Sequence, residues 1–161
     1  MKIIFLDIDG VLNDTEYRKN HAGLDKILSP EKIILLRQLA KKSGAEIVLT
    51  STWRAYLFKK PLFKNSEEKE YLSDTLNSFG VHLYDLTPWI DASEKNLEIK
   101  EWLDKHSNIE NYVILDDSVF DWDYELEKYF VQVQDGLSEK DVENAANLLK
   151  GGSAQPDYHF C

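Results

Sequence analysis

Met1-Lys2-Ile3-Ile4-Phe5-Leu6-Asp7-Ile8-Asp9-Gly10-Val11 decides how the rest of the chain is read. Four consecutive apolar residues, Ile3 to Leu6, run directly into two carboxylates separated by one residue. A short apolar run bounded by polar residues is the mark of a strand buried on both faces, as in a parallel sheet. The strand should end at Asp7. Strand side chains alternate in direction, so Asp7 and Asp9 leave its end pointing the same way, and Gly10 allows a sharp turn behind them. Both acids are then held at the carboxyl edge of a sheet, the edge at which open α/β folds bind ligands. Two neighbouring carboxylates stay ionised at neutral pH only with a cation or a shared proton. Oxygen ligands of this kind suit a hard divalent metal such as Mg2+. A calcium loop fits less well, because the EF-hand places its glycine sixth with oxygen ligands at one, three and five, whereas Gly10 falls fourth and Val11 fifth. A solvated acidic turn is the bland alternative.

The segment Asp7-Ile8-Asp9-Gly10-Val11 after an apolar strand resembles the first motif of the haloacid dehalogenase superfamily of phosphohydrolases. The resemblance implies Asp7 as nucleophile and Asp9 as general acid/base. It also requires three further motifs in order.

Composition bounds the problem before those motifs are sought. The 161 residues are 43% hydrophobic and include four Trp, enough for one domain with a full-sized core. We expect a single domain over residues 1–150 and a tail over 151–161. No segment has the length of a membrane helix, and Ile3 to Leu6 is too short for a signal-peptide core, so the expected location is cytoplasmic. The single cysteine, Cys161, permits no internal disulfide, and no disulfide-linked partner is expected. A formal net charge of −10 argues against coating nucleic acid by bulk electrostatics. Locally the balance reverses: Arg54, Lys59, Lys60 and Lys64 lie in a stretch without acids, either a solvated lysine loop or a ramp guiding a polyanionic substrate.

Residues 12 to 28 show no sustained period and read as an irregular excursion; in the family this region forms a short helical turn and a β-hairpin flap, and His21 could touch a substrate there. Ser29-Pro30 then opens a helix, serine as N-cap and proline at the first helical position, with Ile33, Leu36, Leu39 and Ala40 on one stripe and Gly44 at its close. Ala45 to Thr50 is a second strand, ending in Thr50-Ser51-Thr52-Trp53-Arg54. The family's second motif supplies here a hydroxyl that holds a phosphoryl oxygen. Ser51 is the choice, with Thr50 and Thr52 as competitors, and helix capping is the ordinary alternative use of such residues. Trp53 reads as core, and Arg54 as able to reach a phosphate.

A helix over residues 66 to 79, capped by Ser66, precedes a third strand at Val81 to Tyr84. After Thr87-Pro88, Ser93 precedes a helix carrying Ile99, Trp102 and Leu103. Lys95 lies in its first turn, where the helix dipole disfavours a cation. The family's third motif is a basic residue near this point, which the resemblance assigns to Lys95, with Lys100 as alternate. Tyr112-Val113-Ile114-Leu115-Asp116-Asp117 is a second apolar run ending in paired acids and looks like the fourth motif. The resemblance therefore implies Mg2+ ligands among Asp7, Asp9, Asp116 and Asp117, with Asp121 a weaker candidate.

Trp122, Tyr124, Leu126, Tyr129 and Phe130 read as packing, and Tyr129 to Val133 as a last strand. Leu137-Ser138 starts a final helix with Asp141 completing a capping box and Val142, Ala145, Leu148 and Leu149 inside. Alternating strands and helices predict a three-layer, Rossmann-like α/β fold with a parallel sheet of about five strands and no cap domain. Thr50 to Arg54 and the Lys95, Glu98, Ile99, Trp102, Leu103 pattern look most like small domains of nucleic-acid repair proteins, including the phosphatase half of phage polynucleotide kinase. The implied activity is Mg2+-dependent hydrolysis of a phosphorylated substrate, a small molecule or a nucleic-acid end, through an aspartyl phosphate. A phosphotransferase or mutase would share every motif, and a non-catalytic phosphate-binding module would share the fold.

Overall fold

The computed structural model describes residues 1–21, 28–57, 67–90, 94–119 and 122–152. Ser66, Ser93, Asp121, Cys161 and the basic residues Lys59, Lys60 and Lys64 lie outside them, as does the middle of the expected flap. Five parallel strands, β1 (Lys2–Leu6), β2 (Glu46–Leu49), β3 (Leu83–Leu86), β4 (Asn111–Asp116) and β5 (Phe130–Gln132), form one sheet in the order β3-β2-β1-β4-β5. The most apolar run is therefore the central strand. Parallel neighbours need long crossovers, and helices supply them: α2 (Pro30–Ser43), α3 (Glu67–Ser78) and α4 (Lys95–Asp104), with α6 (Glu139–Leu149) after β5. Short helices α1 (Thr15–Asn20) and α5 (Tyr124–Glu127) lie in loops.

Alternation along the strands sorts the core into two layers. Ile4, Leu6, Ile47, Leu49, Val113 and Leu115 pack with Ile33, Leu36 and Leu39 of α2, Leu72 and Leu76 of α3, and Leu148 and Leu149 of α6. Ile3, Phe5, Val48 and Ile114 face the opposite way, onto Ile99 and Trp102 of α4 and onto Leu126. There Phe5 meets Trp102 and Tyr112 edge-on, with ring centroids 5.4 and 5.7 Å apart. Such contacts add about 0.5–1.5 kcal/mol each beyond the area they bury.

The helix ends follow their sequence signals in most places. Gly44 closes α2 in the left-handed region at φ 69°, and Ser138 and Asp141 form a complete capping box on α6. Ser29 departs from expectation. It occupies the N-cap of α2, but its side chain makes no cap bond, and its backbone N–H donates to Leu12 O at 2.8 Å. Proline at the first helical position lacks one of the N–H groups that a helix leaves unpaired at its start.

Two further readings need correction. The third strand runs two residues later than Val81 to Tyr84: Val81 is buried in the core before the strand begins, and β3, as an edge strand, lacks the continuous apolar run that marks the central ones. Tyr124 does not pack; it is 88% exposed at the start of α5, while Leu126 takes the buried position. In the excursion after β1, Asp14 caps α1 by accepting from Tyr17 N at 2.7 Å. No strand occurs among its described residues.

Candidate active site

The strand register builds the site. Leu6 of β1 pairs with Leu49 of β2 and with Leu115 of β4. One residue further along, Asp7 therefore stands between Thr50 and Asp116, all three continuing the face that carries Phe5, Val48 and Ile114. That face is covered by α4, whose first residue is Lys95. Lys95 Nζ lies 3.2 Å from Asp7 Oδ1 and 2.5 Å from Asp116 Oδ2, and all three side chains are buried. Asp116 Oδ1 also accepts the Ser118 N–H at 2.9 Å.

Oxygens of Asp7, Asp116 and Asp117 lie within 4.8 Å of one another. Burial pushes the Asp7 carboxyl up from 3.8 to about 7, against the pull of Lys95 and with the help of Asp116 and Asp117. Asp117, exposed at the rim, is raised as well, by partial burial and then by Asp116. Burial alone would lower Lys95, but Asp7 and Asp116 outweigh it and hold the ammonium above its usual value. One cation thus faces three carboxylates. The remaining negative charge and the all-oxygen donor set are what a hard divalent cation fits.

Gly10 is required for this packing. Its φ of 77° is in the left-handed region, and a Cβ there would come within 2.1 Å of Asp117 Oδ2. The turn begins at Ile8, whose carbonyl accepts from Val11 N and Leu12 N, so Asp9 already lies within it. Asp9 does not join the cluster with its carboxylate: Oδ1 accepts from Asn13 Nδ2 at 3.2 Å, and Oδ2 from the indole Nε1 of Trp53 at 3.0 Å.

The three candidate hydroxyls have different surroundings. Thr52 is exposed. Ser51 is buried and caps the short 3-10 turn Thr52–Tyr56 by accepting from Trp53 N at 3.2 Å. Thr50 is level with Asp7, 1% exposed, and its Oγ1 has no hydrogen-bond partner among the described residues. Lys100, the alternate to Lys95, pairs instead with Asp123 at 2.5 Å and Glu125 at 3.4 Å.

Arg54 does not take the position expected of it. Rather than pointing to a phosphate, its guanidinium is buried against Glu98, donates to the carbonyls of Thr50, Ser51 and Pro88, and lies 4.9 Å from the Trp89 ring centroid. Glu98 is three residues beyond Lys95 on α4, so this pair fixes the helix that delivers the lysine. The sequence names Trp53 as core and Glu98 as part of a pattern, but not their bonds to Asp9 and Arg54, nor that of Asn13 to Asp9; an Asx residue behind the Asp7/Asp9 turn and an acid one helical turn after Lys95 are the signals that could have found two of them.

A five-stranded parallel α/β domain with opposed acids at the carboxyl ends of β1 and β4, and a lysine from the helix between β3 and β4, has the architecture of a haloacid dehalogenase domain. The chain belongs to the family described as HAD domain in Swiss Army Knife RNA repair proteins, which matches over residues 3–142. No curated protein and no solved structure matches it. Among the described residues, no helix is long and apolar enough to cross a membrane.

Proposed function

We propose that the protein is a Mg2+-dependent phosphomonoesterase acting on nucleotides or nucleic-acid ends through an aspartyl phosphate. The observation that carries this reading is the buried Asp7–Lys95–Asp116 group, with Asp117 at its rim, at the carboxyl edge of the sheet. The family description, which refers to RNA repair proteins, supports nucleic-acid ends as the substrate class.

Asp7, Asp116 and Asp117 would hold Mg2+, which when bound supplies positive charge to offset the carboxylates and the transferring phosphoryl group. Asp7 forms a bond from a carboxylate oxygen to phosphorus as the phosphorus–oxygen bond to the leaving group breaks. Asp9 gives its proton to the departing oxygen, then takes one from the water that attacks the aspartyl phosphate, releasing phosphate and restoring both carboxyl groups. Lys95 offsets charge on the nucleophile and the phosphoryl oxygens, and a hydroxyl from Ser51 or Thr50 donates to one of them.

The test is a panel of phosphomonoesters, including mononucleotides and phosphorylated oligonucleotide ends, assayed with and without Mg2+. Acid-quenched protein should carry one extra phosphoryl group, stable to acid and lost in Asp7→Asn. Absence of turnover across the panel with Mg2+ present would overturn the reading.

A further inference from the structure

We infer that Trp53 is a positioning residue that, together with Asn13, clamps the acid/base carboxyl of Asp9 in one orientation, so that its proton is held to the lone pairs left free for the leaving group. This rests on the role proposed above for Asp9. Trp53 is 3% exposed and Asn13 fully buried, and each donates to a different oxygen of the same carboxylate. The two donors come from different places. Asn13 follows the turn at Gly10, whereas Trp53 lies in the 3-10 turn after β2, so the clamp ties the first motif to the second.

Both partners are donors that cannot reverse. Indole N–H has no acceptor lone pair. The Asn13 amide is fixed in orientation because its Oδ1 accepts the Gly10 N–H at 2.9 Å, leaving Nδ2 toward Asp9. Each Asp9 oxygen therefore has one lone pair committed to a protein donor, and a proton can occupy only the remaining lone pairs. A freely rotating carboxyl could turn that proton toward solvent. The clamped one has a fixed plane, which limits the proton to two positions.

A group that only fills the core would affect all substrates alike, whereas a group that aims a proton acts according to how much the leaving oxygen needs one. The experiment compares an alkyl phosphate, whose leaving alkoxide requires protonation, with a dinitrophenyl phosphate, whose leaving phenolate does not. Trp53→Phe removes the indole donor and keeps an aromatic body. Incorporation of benzothienylalanine at position 53 removes the N–H at nearly constant shape, covering the case in which Trp53→Phe fails to fold.

The expected result is a fall of about tenfold or more in kcat/KM for the alkyl ester, the parameter that reports the step in which the leaving group departs, and a smaller fall in kcat/KM for the aryl ester. If the wild type hydrolyses both esters and the isostere lowers both equally or neither, the clamp is wrong while the proposed function stands. If the wild type hydrolyses neither, the proposed function fails and this inference with it.

Discussion

Two buried groups of opposite charge lie one turn apart on α4, and they are built differently. Around Glu98 the charges are matched: Oε2 meets Arg54, Oε1 accepts from Ile90 N at 2.9 Å, and Arg54 donates to three carbonyls besides. Of this group, Arg54 Nε has no partner among the described residues. Around Lys95 one cation faces three carboxylates, with the unpartnered hydroxyl of Thr50 at the same level of the sheet. A matched pair holds two segments together, whereas an unmatched one has affinity for something else. The first serves the fold, and the second is the group to which the proposed function assigns the chemistry.

Asp7→Asn breaks the comparison most severely. It should lower turnover on the order of 10⁴-fold or more, because the proposed mechanism assigns to Asp7 the bond to phosphorus. Stability should hold or rise, since the substitution removes a buried carboxyl that its neighbours repel. Undiminished steady-state turnover by this variant would remove Asp7 as nucleophile.

The contrast between the two groups also shows where sequence reading stops. Asp7, Asp116 and Lys95 were legible because each follows a local signal: an apolar run that ends abruptly, or a cation placed against a helix dipole. The parallel sheet was legible for the same reason, through Ile3 to Leu6 and Val113 to Leu115. Arg54 was misread, because its partner Glu98 is remote in sequence and nothing local distinguishes an arginine turned inward from one turned to a phosphate. Trp53 was read correctly as buried, but its indole N–H has a destination that only the tertiary arrangement reveals. At β3, partial burial at the sheet edge leaves no sharp apolar boundary, and the expected strand fell two residues early.

Glu98→Leu should be the most destabilising of the remaining changes. It leaves Arg54 buried without its counter-charge, at a cost of about 3–5 kcal/mol. Thermal denaturation should show a loss of roughly 10 °C for a domain of this size. The double variant Arg54→Leu/Glu98→Leu should recover most of it, since neither charge is then stranded. Lys95→Met should cost far less stability, because Asp7 can take up a proton near neutrality, yet it should remove most activity. Equal destabilisation by Glu98→Leu and Lys95→Met would erase the distinction drawn between the two groups.

Metal addition sharpens it further. Asp7 is held at about 7 when folded and near its ordinary 3.8 when unfolded, so between those values the folded state keeps a proton that the unfolded state has released. Stability of the metal-free protein should therefore decline as pH rises through that window. Mg2+ requires the ionised carboxylates and competes with that proton. At a hundredfold excess over its Kd it should add about 2.7 kcal/mol. The resulting rise in Tm should be larger at pH 7.5 than at pH 5.5, and absent in Asp116→Asn. A Tm rise independent of pH, or one retained in Asp116→Asn, would place the ion elsewhere.

The smallest expected change in stability separates the two hydroxyls beside Asp7. Ser51→Ala removes the acceptor for Trp53 N, a capping contact whose loss typically costs about 1 kcal/mol. Thr50→Val keeps the side-chain shape and removes a buried hydroxyl that bonds to nothing among the described residues, so it should leave Tm unchanged or slightly higher. Activity need not follow the same order. A hydroxyl reserved for a phosphoryl oxygen gains its partner only when substrate is bound, and one already committed to a backbone N–H has less to offer. Thr50 is level with Asp7 and on the same face of the sheet, while Ser51 is already engaged at the turn. Thr50→Val should therefore lower kcat/KM by about 10²-fold, the scale for one donor to a developing oxyanion, with Ser51→Ala smaller. If instead Ser51→Ala lowers kcat/KM severely while Thr50→Val is silent, the phosphate-binding hydroxyl is Ser51, and its bond to Trp53 N must yield or be shared when substrate enters.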